Sequence, residues 1–135
     1  ISDAQKAARL AEGSVRMGLT FLDEDRLAII THVESALKAL PAVDEQALLQ
    51  MANGLAPRDK TAEFETMLET VDRFILDMTR TRAGEGAYRL APLGEVWEKK
   101  ARAAREVDAF NLDRRPFVLS LFNDLADAVR QIGQG

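Results

Sequence analysis

The 135-residue chain has no cysteine and only one histidine. The missing cysteines exclude disulfides, thiol catalysis and cysteine-ligated zinc within these residues, and fit a reducing cytoplasm. A single histidine, His32, has no second imidazole to share a metal with. It projects to the flank of an apolar helix face, and no nearby Ser or Glu makes a dyad with it. A basic excess is missing too. Eighteen Lys and Arg against 22 Asp and Glu leave a net charge of −4 and an isoelectric point near 5.1, which argues against a non-specific DNA-binding face. No apolar run approaches the roughly 18 residues of a membrane helix, and no basic-then-apolar start resembles a signal peptide. Apolar and polar residues nowhere alternate over a β-branched run, so no strand is expected.

What remains is helical periodicity. Between Thr61 and Arg82, Phe64, Met67, Leu68, Val71, Phe74, Ile75 and Met78 recur at three- and four-residue steps, on one side of a helix. Burying seven such side chains is worth about 1.5–3 kcal/mol each, so this segment is read as the central helix of a bundle. Asp59 is its expected N-cap, and Gly84 to Gly86 its stop. The other segments follow in order. Ser2 or Asp3 opens a short helix ending at Gly13, and Ser14 caps a second. Asp23-Glu24-Asp25 is expected as an acidic turn, followed by a helix from Arg26 to Leu40 that Pro41 ends. Asp44 caps a helix through about Leu55 carrying Leu48, Leu49, Met51 and Ala52. Ala83 to Pro92 is expected as a flexible Gly-containing loop. A helix from about Leu93 to Phe110 and a last one capped by Asn111-Leu112-Asp113 complete the chain; Val118, Leu121, Phe122, Leu125, Val129 and Ile132 line the last. Short connections predict antiparallel neighbours. The fold class is all-α: an antiparallel bundle of about five helices after two short ones.

Candidate chemistry is sparse. Lys60-Thr61 with Gly54 upstream lacks the Gly before Lys and the feeding strand of a phosphate-binding loop. Asp23-Glu24-Asp25 fails the EF-hand spacing, because Leu27 and Ala28 occupy the next ligand positions. Ser14 is followed by Arg16 and is no nucleophile elbow. No catalytic, cofactor or metal set emerges. Two irregularities point to association. Lys100 lies among Val96, Ala103, Ala104 and Val107 on a face that should be buried; it either snorkels to water or meets an acid on a partner. Leu76 and Leu119 sit on otherwise polar faces, as candidates for a subunit interface. A ligand-binding helical domain of a regulator is the alternative, and it requires an apolar cavity among Phe64, Phe74, Trp97 and Phe122.

Two stretches carry a family resemblance. Leu10-Ala11-Glu12-Gly13-Ser14-Val15-Arg16, followed by Leu19 and Leu22, resembles the end of the helical lid in clamp-loader AAA+ subunits. Ala109-Phe110-Asn111-Leu112-Asp113-Arg114-Arg115, with Trp97 in the helix before it, resembles the C-terminal part of bacterial DNA polymerase III delta-prime subunits. Pro116 departs from the polar residue expected after the arginine pair. The likeness spans roughly Leu10 to Arg130. It implies a lid remnant over residues 1–22, a collar domain over 23–132 and a tail over 133–135. It further implies a non-hydrolysing subunit, with no cofactor in this part. The implied partners are gamma/tau and delta in a cytoplasmic hetero-pentamer that touches DNA only as an assembly. Arg16 matches the position of a sensor arginine, without an assigned activity. The opening Ile1, in place of Met, is expected of an excised or processed chain.

Overall fold

A computed structural model describes residues 21–134, and among them are five α-helices and no strand. They are α1 (Phe21–Ala39), α2 (Glu45–Leu55), α3 (Thr61–Thr81), α4 (Ala87–Phe110) and α5 (Arg114–Gln134). The two short helices expected before them, and Arg16, lie outside the described residues. All-α is therefore the observed class.

Helix α1 begins earlier than expected. Asp23-Glu24-Asp25 is not a turn but part of the first turns of α1. No Gly or Pro interrupts residues 21–39, and carboxylates near a helix N-terminus complement its partial positive charge. Helix α2 matches the sequence reading closely: Asp44 is the N-cap, and its Oδ1 accepts from the Ala47 N–H at 3.1 Å. Leu48, Ala52 and Leu55 are buried, whereas Leu49 faces outward. Before α3, Asp59 does not cap. It sits inside a 3-10 turn over Arg58–Lys60 that follows Pro57, and the Thr61 hydroxyl donates to the Arg58 carbonyl at 3.0 Å.

The largest departure is at α4. Residues 83–92 are not a flexible loop: a 3-10 turn over Ala83–Glu85 leads through Gly86, at φ 94°, into a helix that already contains Pro92. A proline inside a helix costs about 3 kcal/mol. Burial of Leu90 and Leu93 on either side offsets it at about 1.5–3 kcal/mol each. The turn is also held by charge. Glu85 Oε1 lies 3.2 Å from Arg89 Nε and 3.7 Å from Arg82, and the Arg89 guanidinium donates to the Ile132 carbonyl near the end of α5.

The helices pack out of sequence order. Helix α1 lies on α3, α3 on α4, α4 on α5, and α5 on α2. Thus α1 and α2 do not pack as the antiparallel neighbours their short connection suggests. Helix α3 buries Phe64, Met67, Val71 and Ile75, with Leu68, Phe74 and Met78 half-buried. Thr66 and Thr70 are buried on the same helix, their hydroxyls satisfied by the carbonyls of Ala62 and Thr66 at 2.9 and 2.8 Å. Helix α3 is nevertheless not the single axis of the core. Helix α5 buries Val118, Leu121, Phe122, Leu125, Ala128 and Ile132, and an edge-to-face pair of Phe64 and Phe117, centroids 5.5 Å apart, joins the two.

Candidate association surface

Lys100 is where sequence reading and structure differ most usefully. Its side chain is 6% exposed, and its Nζ lies 2.7 Å from Asp72 Oδ1 of α3. The lysine does not snorkel to water, and the acid it meets belongs to its own chain. Asp72 is the member that reaches solvent, at 43% exposure. The contact is ionic in distance but off-axis for a hydrogen bond, so Oδ1 has no geometric hydrogen-bond partner. At 2.7 Å the charges are paired whatever the angle. Lys100 is thus a pin between α3 and α4, not a free interface cation.

That pin sets a register. Asp72 and Lys100 both stand back from the short α3–α4 connection, so the two helices run antiparallel. Leu76 (72 plus four) and Trp97 (100 minus three) each lie one turn from the pin, toward the connection. Their neighbours Ile75 and Val96 are buried, yet Leu76 is 48% and Trp97 49% exposed. Leu119 differs from Leu76: it is half-buried against the core, so it reports on packing and not on a free face. His32 is exposed on α1.

A second exposed apolar corner lies at the α4–α5 turn. The Ala109 to Arg115 stretch divides its labour there. Asn111 adopts φ 55° and ψ 44°, the left-handed conformation that ends helices, and the Leu112 N–H donates to the Val107 carbonyl at 3.0 Å. The Asn111 amide, oriented with its oxygen toward Arg58, accepts from both terminal guanidinium nitrogens at 2.9 and 2.7 Å. Asp113 then caps α5. Its Oδ1 accepts from the Arg115 N–H at 3.0 Å, and its two oxygens accept from the Arg115 guanidinium at 2.8–3.1 Å. Hydrogen bonds from the Arg115 side chain and then its backbone hold the Asp113 carboxyl below its usual range, and Asp113 raises the guanidinium in turn.

Arg114 is the structural centre of this corner, a role that sequence reading did not assign. It donates to the Leu55 carbonyl at 3.1 Å, the Pro57 carbonyl at 2.8 Å and the Thr61 hydroxyl at 2.8 Å. Its guanidinium carbon lies 5.0 Å above the Phe64 ring. Phe110 and Leu112 are 70% and 50% exposed there.

The aromatic cavity expected among Phe64, Phe74, Trp97 and Phe122 does not form. Phe64, Phe74 and Phe122 line three different grooves, and Trp97 stands at the surface. A cleft of about 590 Å³ does open between α1 and α2, because those helices pack on different partners. Ile29, Ala36, Leu40, Val43 and Met51 wall it, over Phe122. Among the described residues no group of three or more His, Cys, Asp or Glu could hold a metal ion, and no helix is long and apolar enough to cross a membrane. Compared with protein families, curated proteins and solved structures, the chain matches none.

Proposed function

We propose that this chain is a helical association module without catalytic activity of its own, and that it serves as the collar domain of a clamp-loader subunit of the delta-prime type. On this reading it binds the corresponding domains of gamma/tau and delta in the cytoplasm. It holds the assembly together while the sliding clamp is loaded onto primed DNA, and meets DNA only through that assembly. The observation that supports association is the half-exposure of Leu76 and Trp97 beside a fixed, internally paired Asp72–Lys100 pin. Two large apolar side chains left half-exposed, each one helical turn from a rigid pin, are the material of an interface core. The clamp-loader assignment rests on the sequence resemblance.

The test is size-exclusion chromatography with light scattering, run on this chain alone and then mixed with collar domains of gamma/tau and delta. The expected outcome is a stoichiometric complex larger than any component. A chain that stays monomeric in every mixture counts against the assignment.

The cleft between α1 and α2 favours a second reading, a binding site for an apolar small molecule. Its volume lies within the usual range of ligand pockets. An apolar ligand at a hundred times its Kd adds about 2.7 kcal/mol to stability, a rise in Tm of roughly 10 °C for a domain this size. A thermal-shift panel of neutral apolar compounds reads this directly, and no shift across the panel counts against it.

A further inference from the structure

We infer that Asn53 is a site of spontaneous, irreversible modification, and that Arg114 gates it: the side-chain amide is lost when the last turn of α2 opens, leaving aspartate or isoaspartate. The inference is independent of both functional readings above.

The chemistry begins with the sequence. The backbone nitrogen of the residue after an asparagine attacks the asparagine Cγ, closing a five-membered succinimide and expelling the side-chain nitrogen as ammonia. Water then opens the ring at either carbonyl, giving aspartate or, with one more carbon in the backbone, isoaspartate. A side chain on the following residue obstructs the attack, and glycine has none. Of the three asparagines, Asn53 alone is followed by glycine; Leu112 follows Asn111, and Asp124 follows Asn123. Those other two amides are also held. Asn111 accepts from Arg58 at 2.9 and 2.7 Å, and Asn123 donates to the Leu119 carbonyl at 2.9 Å. Asn53 and Gly54 are exposed, and the Asn53 amide has no partner among the described residues.

Only the helix restrains the reaction. At a helical ψ of about −42° the Gly54 nitrogen is out of line with Cγ, and its hydrogen is committed to the preceding turn. Burial of Ala52 and Leu55 holds the inner side of that last turn. Its carbonyl end has no closure of its own. No left-handed residue follows it, because Ala56 stays right-handed at φ −68° and ψ −37°, and the turn contains no basic side chain. A Cβ added at Gly54 meets nothing within 4 Å, so the glycine weakens the turn without any packing need for it. Closure comes from α5: Arg114 donates to the Leu55 carbonyl at 3.1 Å and to the Pro57 carbonyl at 2.8 Å. The product works against reclosing. Aspartate adds a negative charge at the negative end of α2, and isoaspartate lengthens the backbone just before Leu55.

The test is peptide mapping by mass spectrometry after incubation at neutral pH, with isoaspartate counted by isoaspartyl methyltransferase labelling. Asn53 is expected to react quickly in guanidinium chloride and slowly in the folded chain. In folded Arg114→Ala it is expected to react roughly tenfold faster than in the unaltered chain. Asp72→Ala weakens the bundle comparably but leaves the end of α2 intact, so its rate is expected to stay within about twofold of the unaltered chain. Should Arg114→Ala not fold, Arg114→Lys keeps the charge without the fork and is expected to give an intermediate acceleration. Gly54→Ala is expected to slow the reaction even in guanidinium chloride, which identifies the attacking nitrogen. The proposal is overturned if the Arg114 variants react no faster than Asp72→Ala, if the folded chain reacts as fast as the unfolded one, or if Asn53 survives in guanidinium chloride.

Discussion

Arg114→Ala is expected to lower the stability of the bundle by about 2–4 kcal/mol, most visible as a lower urea midpoint with an unchanged slope. The residue lies in the first turn of α5 but does most of its bonding elsewhere. Leu55 provides one of the last four carbonyls of α2, which have no partner within their own helix. Arg114 satisfies that carbonyl, reaches the Pro57 carbonyl beyond it, and holds the Thr61 hydroxyl at the first residue of α3. Its cation also lies at the negative end of α2 and over the Phe64 ring. Alanine removes all of these together. Water reaches the half-buried side chain and replaces part of the loss, which is why the figure stays below the sum of the separate bonds. Lysine carries the same charge without the planar fork and is expected to recover less than half of the loss. A midpoint for Arg114→Ala equal to that of the unaltered protein would show that the three elements hold their places without it.

The Asp72–Lys100 pin is expected to respond asymmetrically. Asp72→Ala leaves an ammonium unpaired on a side chain that is 6% exposed. Breaking a fully buried pair in this way costs about 3–5 kcal/mol. Because Asp72 itself is 43% exposed, water reaches the vacated site and about 2–3 kcal/mol is expected. Lys100→Met keeps the length of the stem among Val96, Ala103 and Val107 and removes the charge that needs a partner. It is expected to be within about 1 kcal/mol of neutral. The double variant should therefore be more stable than Asp72→Ala alone, although it carries one more substitution. Urea unfolding of the three variants decides the matter. Equal losses for the two single variants would mean that the lysine head reaches water in solution.

Both effects come from contacts between residues far apart in sequence, which is where sequence reading stops. Local signals were legible. Asp44 as a cap, the α3 stripe, Asn111 and Asp113 as helix punctuation, and five of the six apolar positions named in α5 are governed by neighbours within four residues. The errors arose where distant packing overrode a local rule. Pro92 and two glycines suggested a loop, but buried Leu90 and Leu93 carry the helix through the proline. Asp59 has the chemistry of a cap, but Pro57 begins a 3-10 turn that places Asp59 inside it. Leu76 and Leu119 look alike in sequence, and only the positions of the neighbouring helices make one half-exposed at an edge and the other part of the packing. Lys100 on an apolar stripe was a correct anomaly; its partner, 28 positions away on a face read as polar, was not legible from spacing.

The order in which helices pack has a consequence during synthesis. Leu48, Ala52 and Leu55 of α2 are buried against α5, the last helix made, and the carbonyl of Leu55 waits for Arg114, 59 residues downstream. At roughly 5–20 residues per second, α2 spends about 3–12 s outside the ribosome with its apolar stripe uncovered. Helix α1 meets α3 well before then, whereas α4, which packs mainly on α5, waits with α2. The nascent chain thus carries two uncovered apolar faces, on α2 and on the α5 side of α4, and in that interval it offers a chaperone or a misfolding partner a surface the finished protein does not have.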